Sequence, residues 1–205
     1  MLNIIKKDFI LQKRYTPLYL LTLILFLWVG WGLEYVIGLM SIMFLVNSHY
    51  YDEKDNSNIL INSLPYTRKE IVSSKYIVTL LFTVIITPFC IVGSYFINDG
   101  MVFQFSLKSL VLSYIVVLIF AALYLPFFYK FKAQYLFFVF IAVSFGIMLL
   151  LKNIPYILNK YANDFFIFLT GISDLGIYGT LVVIAVSFYG LSWMLSINIY
   201  KNKAY

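Results

Sequence analysis

Charged side chains crowd into one stretch of the chain, DEKDNSNILINSLPYTRKEIVSSKY at residues 52–76. Asp52, Glu53 and Asp55 stand beside Lys54, then Arg68 and Lys69 beside Glu70, with Lys75 a little further on. Groups of these types can dock a charged partner, cap helices or simply face water. The residues that usually carry catalysis are scarce. His49 has no second imidazole to work with, and there is no His-Glu-x-x-His pattern or Cys/His cluster with metal-ligand spacing. A lone histidine at the end of an apolar run is expected to meet lipid headgroups. Cys90 is the single cysteine, so no internal disulfide can form. No G-x-x-x-x-G-K-[ST] loop occurs, so the chain does not bind ATP through a P-loop.

The elements that must hold these groups are overwhelmingly apolar. Of 205 residues, 62% are hydrophobic and 12% charged, and the mean hydropathy is +0.90. A soluble domain of this size has too little interior to hide so much apolar surface, which makes lipid the main solvent. The net charge of +6 raises nucleic acid as a partner. The basic residues, however, sit at the ends of apolar segments, where they suit membrane lipids and topology rather than nucleic acid.

Apolar stretches fall at 17–33, 34–51, 71–97, 107–128, 133–151 and 175–199. A span needs about 20 apolar residues to cross about 30 Å of hydrocarbon, and the run from Pro17 to Ser48 is too long for one and tight for two. Charge decides between them, because Lys and Arg favour cytoplasmic loops. Two spans place twelve of the fifteen cations inside and leave Lys108, Lys152 and Lys160 outside, whereas one span splits them seven to eight. The expectation is an all-α membrane protein with six spans, both termini cytoplasmic, and an outer turn at Gly30, Gly32 and Glu34. Every carboxylate falls at a segment end or in a loop, so the spans offer no ionisable group for coupling to an ion gradient.

Residues 1–15 are expected to form an interfacial helix with Leu2, Ile5 and Phe9 on its apolar face, delivering the chain into the first span at Pro17. No cleaved signal peptide is expected, since Trp28 and Trp31 crowd the place of a cleavage site. On the outer side, Ile154, Ile157, Leu158, Tyr161, Phe165, Phe168 and Leu169 recur at helical steps, predicting an amphipathic or re-entrant helix within 152–174. Pro88 and Pro126 are expected to kink the third and fourth spans. No repeat or linker divides the chain, which is expected to be a single domain.

Within the polar insert, Asn56 or Ser57 can cap a short amphipathic helix carrying Ile59, Leu60, Ile61 and Leu64, which Pro65 stops. Thr67 and Glu70 then have the spacing of a capping box that opens the third span. A short helix held between two spans would transmit force to both. Local pattern alone is equally compatible with a solvated loop whose charges fix topology.

The acidic pair Asp52–Glu53 followed by INSLPYTRKEIVSSKY resembles the signature of the small ABC-2 type permeases, the membrane subunits of ATP-binding-cassette exporters. The matching positions are Ser63, Leu64, Pro65, Thr67, Arg68, Ile71, Ser74, Lys75 and Tyr76. The resemblance implies a permease that pairs with an identical or paralogous second permease and docks two copies of a separate ATPase. That partner would carry the ATP and Mg, and this chain would need no cofactor. It also implies that residues 52–70 form the coupling segment, with Asp52, Glu53, Leu60, Leu64, Pro65, Arg68, Lys69, Glu70 and Lys75 at contact or hinge positions. Spans rich in Phe, Tyr, Leu and Ile suit an amphipathic or hydrophobic cargo, such as a peptide or an antimicrobial. Two other classes stay open: a sensory or docking membrane protein without transport, and an intramembrane enzyme. For the latter, the polar candidates Ser41, Asn47, Thr79, Ser113 and Ser187 read more easily as helix-packing residues.

Overall fold

The computed structural model describes residues 2–54, 65–97, 106–131 and 174–202, with the backbone alone at Glu53, Lys54, Asp174 and Leu175. The expected coupling helix with Leu60 and Leu64, the fifth span, and the outer helix at 152–173 lie outside the described residues. Those residues form six helices and no strand: α1 Leu2–Lys13, α2 Thr16–Trp28, α3 Leu33–Lys54, α4 Arg68–Ile97, α5 Leu107–Lys130 and α6 Asp174–Lys201.

The long apolar run of residues 17–48 is indeed broken into two helices. Gly30 has φ +82°. Its N–H bonds the Leu27 carbonyl at 3.1 Å, and the Trp31 N–H bonds the Phe26 carbonyl at 3.1 Å. The Trp31 and Phe26 rings meet at 5.2 Å between centroids. This is a Schellman cap with its hydrophobic contact, and it needs a left-handed residue after the helix end. A Cβ at Gly30 would meet nothing within 4 Å, so only backbone strain opposes a larger residue. Gly30→Ala is therefore expected to cost about 1–2 kcal/mol, and Gly30→Asn less; thermal unfolding of the detergent-solubilised chain reads the difference.

Among the described residues, three helices are long and apolar enough to cross a membrane: Arg68–Ile97, Leu107–Lys130 and Gly176–Lys201. The 13 residues of α2 rise only about 20 Å, short of the hydrocarbon thickness. Its buried residues, Tyr19, Leu23 and Leu27, step by four, and this one stripe presses on α4. At Gly93 the approach is so close that a Cβ would come within 2.9 Å of Leu27 Cδ1.

Helix α6 lies along α5, and α3 packs against both α4 and α5. One core cluster joins the start of α4 (Ile71, Val72, Tyr76) to the ends of α5 and α6 (Leu125, Phe128, Tyr129, Tyr189, Tyr200). A second joins α2, α3 and α4 through Leu23, Leu27, Ile37, Met40 and Cys90. The buried hydroxyls of Thr79, Thr83 and Thr87 each donate to the carbonyl four residues earlier, at 2.7–2.8 Å, so α4 satisfies its own polar stripe. Large side chains such as Val183, Ile184, Leu191 and Met194 remain exposed, as a helix facing lipid requires.

Candidate functional site

The site is built where α4 begins. Thr67 and Glu70 close the capping box: the Thr67 N–H donates to Glu70 Oε2 at 2.9 Å, and the Glu70 N–H to Thr67 Oγ1 at 3.2 Å. The Thr67 hydroxyl donates to the same carboxylate at 2.9 Å. Hydrogen bonds from the Thr67 backbone and side chain draw the Glu70 carboxyl below its ordinary pKa. Arg68 turns the other way. Its guanidinium donates to the Lys201 carbonyl at 2.5 Å and the Tyr200 carbonyl at 3.4 Å, capping the negative end of α6 with a cation. Pro65, Arg68 and Lys69 are exposed.

Two turns further in, Lys75 is buried. Its ammonium donates to Asp8 Oδ1 at 2.9 Å, to Ser48 Oγ at 2.7 Å and to the Asp52 carboxylate, which uses all three of its donors. Lys7 closes the cluster from α1, reaching Asp52 Oδ1 at 2.6 Å and Asp8 Oδ1 at 3.5 Å. Side chains of Lys75, Asp8 and Asp52 are 6%, 0% and 2% exposed, so one cation and two anions sit paired away from water, with the partly exposed Lys7 closing the cluster from its edge. Asp8 Oδ2 has no hydrogen-bond partner among the described residues.

The neighbouring residue binds the opposite side. Tyr76 is fully buried, with its hydroxyl 2.8 Å from Ser192 Oγ and 2.7 Å from Ser196 Oγ. Its ring stacks on Trp193 at 5.4 Å. The Trp193 indole N–H donates to Ser73 Oγ at 2.9 Å, and the Tyr189 hydroxyl to the Tyr76 carbonyl at 2.8 Å. About 100° of helical turn separates consecutive residues, so Lys75 reaches α1 and α3 while Tyr76 reaches α6.

With that geometry in view, the sequence profile of the ABC-2 family transporter proteins matches residues 3–201. The chain belongs to that family. No curated protein and no solved structure matches it. It is thus a membrane permease of the ABC-2 transporter type, and the site lies within the matched residues.

Of the candidate contact or hinge residues on the permease, Asp52 and Lys75 are buried and paired with each other, while Pro65, Arg68 and Lys69 are exposed. Helix α1 buries Ile4, Asp8 and Gln12 against its neighbours, while Leu2 of the expected lipid-facing stripe stays exposed. Gln12 donates to the Phe44 carbonyl at 2.8 Å and accepts from the Tyr19 hydroxyl, while Asn47 donates to Tyr19 Oη at 3.0 Å. Lys75 lies inside α4, about two turns from the start of this 30-residue helix.

His49 is no headgroup contact. It is completely buried, stacked on Phe128 at 4.0 Å and Tyr124 at 5.4 Å, and neither ring nitrogen has a hydrogen-bond partner among the described residues. No group of metal-binding residues occurs among the described residues.

Burial alone would raise the Asp52 carboxyl, but the ammoniums of Lys75 and Lys7 outweigh it and hold the group well below the ordinary carboxylate range. A depressed folded pKa stabilises the protein above the unfolded value of about 3.9, and that contribution fades as pH falls through the lower folded value. The melting temperature is therefore expected to show no loss traceable to Asp52 between pH 8 and 5. In acid, below about pH 4, the wild type should lose stability more steeply than Asp52→Asn.

Proposed function

We propose that the permease forms the pathway of an ATP-binding-cassette exporter and is driven by a separate ATPase docked on residues 52–70. Membership of the family implies such a partner. The observation that carries the reading is the pairing of Asp52 with Lys75, since these residues flank the polar insert on either side. A push on residues 55–64 would then move α3 and α4 together, with α1 carried along through Asp8 and Lys7 and α6 through Tyr76. A solvated loop between untied helices would absorb such a push.

In this reading Glu53, Leu60, Leu64, Pro65, Arg68, Lys69 and Glu70 form the docking surface and its edges, and Asp52 and Lys75 form the joint behind it. ATP and Mg belong to the partner chain, in two copies per complex. A second permease, identical or paralogous, completes the pathway in the cell membrane of a bacterium. The apolar, aromatic character of the exposed helices favours an amphipathic or hydrophobic cargo of peptide or antimicrobial type, moved outward.

Extraction of the native complex in mild detergent, followed by mass spectrometry, tests this. The expected result is a stoichiometric P-loop ATPase that is lost at least tenfold with Leu64→Asp or Glu53→Lys while the permease stays in the membrane. A preparation free of any ATPase across several detergents would overturn the reading and favour a sensory or docking protein. A second small permease in the same peak would identify the other half of the pathway.

A further inference from the structure

We propose that the groove between the start of α4 and the end of α6 binds one anionic phospholipid, headgroup at the lysines and acyl chain along α6. The groove encloses about 550 Å³ and is lined by Lys69 and Ser73 of α4 and by Gly190, Trp193, Met194, Ile197, Asn198 and Lys201 of α6. Such a volume lies within the range of sites that hold small molecules.

Its polarity is graded. Lys69 and Lys201 stand at one end, and neither ammonium has a carboxylate within salt-bridge distance among the described residues. The α6 residues recur at steps of three and four, forming one helix face from Gly190 to Lys201. Eleven residues of helix rise about 16 Å, which is half of the roughly 30 Å hydrocarbon thickness. The groove is thus one leaflet deep, cationic at the interface and apolar below, the complement of an anionic headgroup above an acyl chain. Basic pockets between spans are the kind of site that recognises such headgroups.

The walls are fixed without an occupant. Trp193 is held by Tyr76 and Ser73, and the Arg68 guanidinium bonded to the Lys201 carbonyl ties the mouth together. Gly190 keeps the apolar end open, since a Cβ there would meet nothing within 4 Å. The volume spread over about 16 Å leaves a cross-section of roughly 35 Å², wide enough to seat an acyl chain within it, whereas a helix of about 10–12 Å diameter would lie across the groove rather than in it. A docked cytoplasmic protein would cover the lysines and leave the apolar length empty.

The chain has three tryptophans, so Trp28→Phe with Trp31→Phe leaves Trp193 as the sole reporter. The full-length variant is reconstituted in phosphatidylcholine nanodiscs containing a tenth of brominated phosphatidylglycerol or, separately, a tenth of brominated phosphatidylcholine. We expect at least threefold stronger quenching of Trp193 by the anionic lipid. That preference should disappear in Lys69→Gln/Lys201→Gln, survive in Lys69→Arg/Lys201→Arg, and give way to weak quenching by both lipids in Gly190→Leu. Equal quenching by the two lipids, a preference that survives loss of both lysines, or no quenching by either would each overturn the proposal; the last would place another protein surface over the groove. Lys69 also stands at the edge of the proposed ATPase-docking surface, but the nanodiscs hold no ATPase and quenching reads lipid alone, so failure here leaves the exporter reading intact.

Discussion

Lys75→Met is expected to destabilise the detergent-solubilised permease by about 3–5 kcal/mol. The substitution keeps most of the side chain's length and removes the charge together with the hydrogen bond to Ser48. Lys7 would remain in contact with both Asp8 and Asp52, and Asp8 would lose its 2.9 Å contact while its Oδ2 already has no partner among the described residues. A buried carboxylate stripped of its counter-ion is far more costly than the intact pair was favourable. The rescue follows from charge. Lys75→Met combined with Asp8→Asn leaves Lys7 facing Asp52 at 2.6 Å, a neutral arrangement again, and should recover at least half of the loss. Melting followed by the monodisperse fraction surviving heating reads both variants. A Lys75→Met chain as stable as the wild type would show that the cluster does not hold the helices. Equal instability of the single and double variants would show that shape, not charge, is what Lys75 supplies.

Removal of the Tyr76 ring is expected to cost a similar amount, about 3–5 kcal/mol for Tyr76→Ala. The ring is fully buried, stacked on Trp193 and edge-on to Tyr189 at 5.0 Å, so its loss opens a cavity between α4 and α6. Tyr76→Phe separates the ring from the hydroxyl. It leaves Ser192 still donating to the Ala122 carbonyl at 2.5 Å but deprives both serines of the phenol, a loss of about 1–2 kcal/mol. The Tyr189 bond to the Tyr76 carbonyl persists in both variants. Trp193 emission is expected to shift to the red in Tyr76→Ala and stay near its wild-type position in Tyr76→Phe. Equal losses in the two variants would mean that the hydroxyl, rather than the packed ring, joins the helices.

The features legible in the sequence were those carried by neighbours in the chain. The turn at Gly30 could be read because a left-handed position after an apolar helix calls for glycine, and the capping box because Thr67 and Glu70 are three residues apart. The charged cluster was not legible for the opposite reason. Lys7 and Asp52 are 45 positions apart, and Asp8 and Lys75 are 67, so no period in the sequence links them. Two weak signals pointed there. Lys75 falls inside a helix that Thr67 had already opened, and Asp8 and Gln12 are four residues apart along α1, on one side of that helix. His49 misled for a related reason: a single imidazole near a charged boundary suggests an interface, and only the Tyr124 and Phe128 rings of α5 reveal that it is enclosed. The resemblance carried by residues 63–76 placed Asp52 and Lys75 at contact or hinge positions without choosing between them, because a motif records which residues recur and not which way they face.

The adjacency of Lys75 and Tyr76 also bears on biosynthesis. When Lys75 leaves the ribosome, its partners Asp8, Ser48 and Asp52 have already been made. Tyr76 must wait for Ser192 and Ser196, 116 and 120 residues later. One dipeptide therefore separates two stages of assembly. The amino-terminal half can close around a neutral charge cluster early, while an unsatisfied phenol keeps a berth open for the last helix. A chain halted before α6 is made would carry its electrostatics complete and its aromatic seam undone, the kind of exposed, half-packed surface by which membrane quality control distinguishes a nascent protein from a finished one.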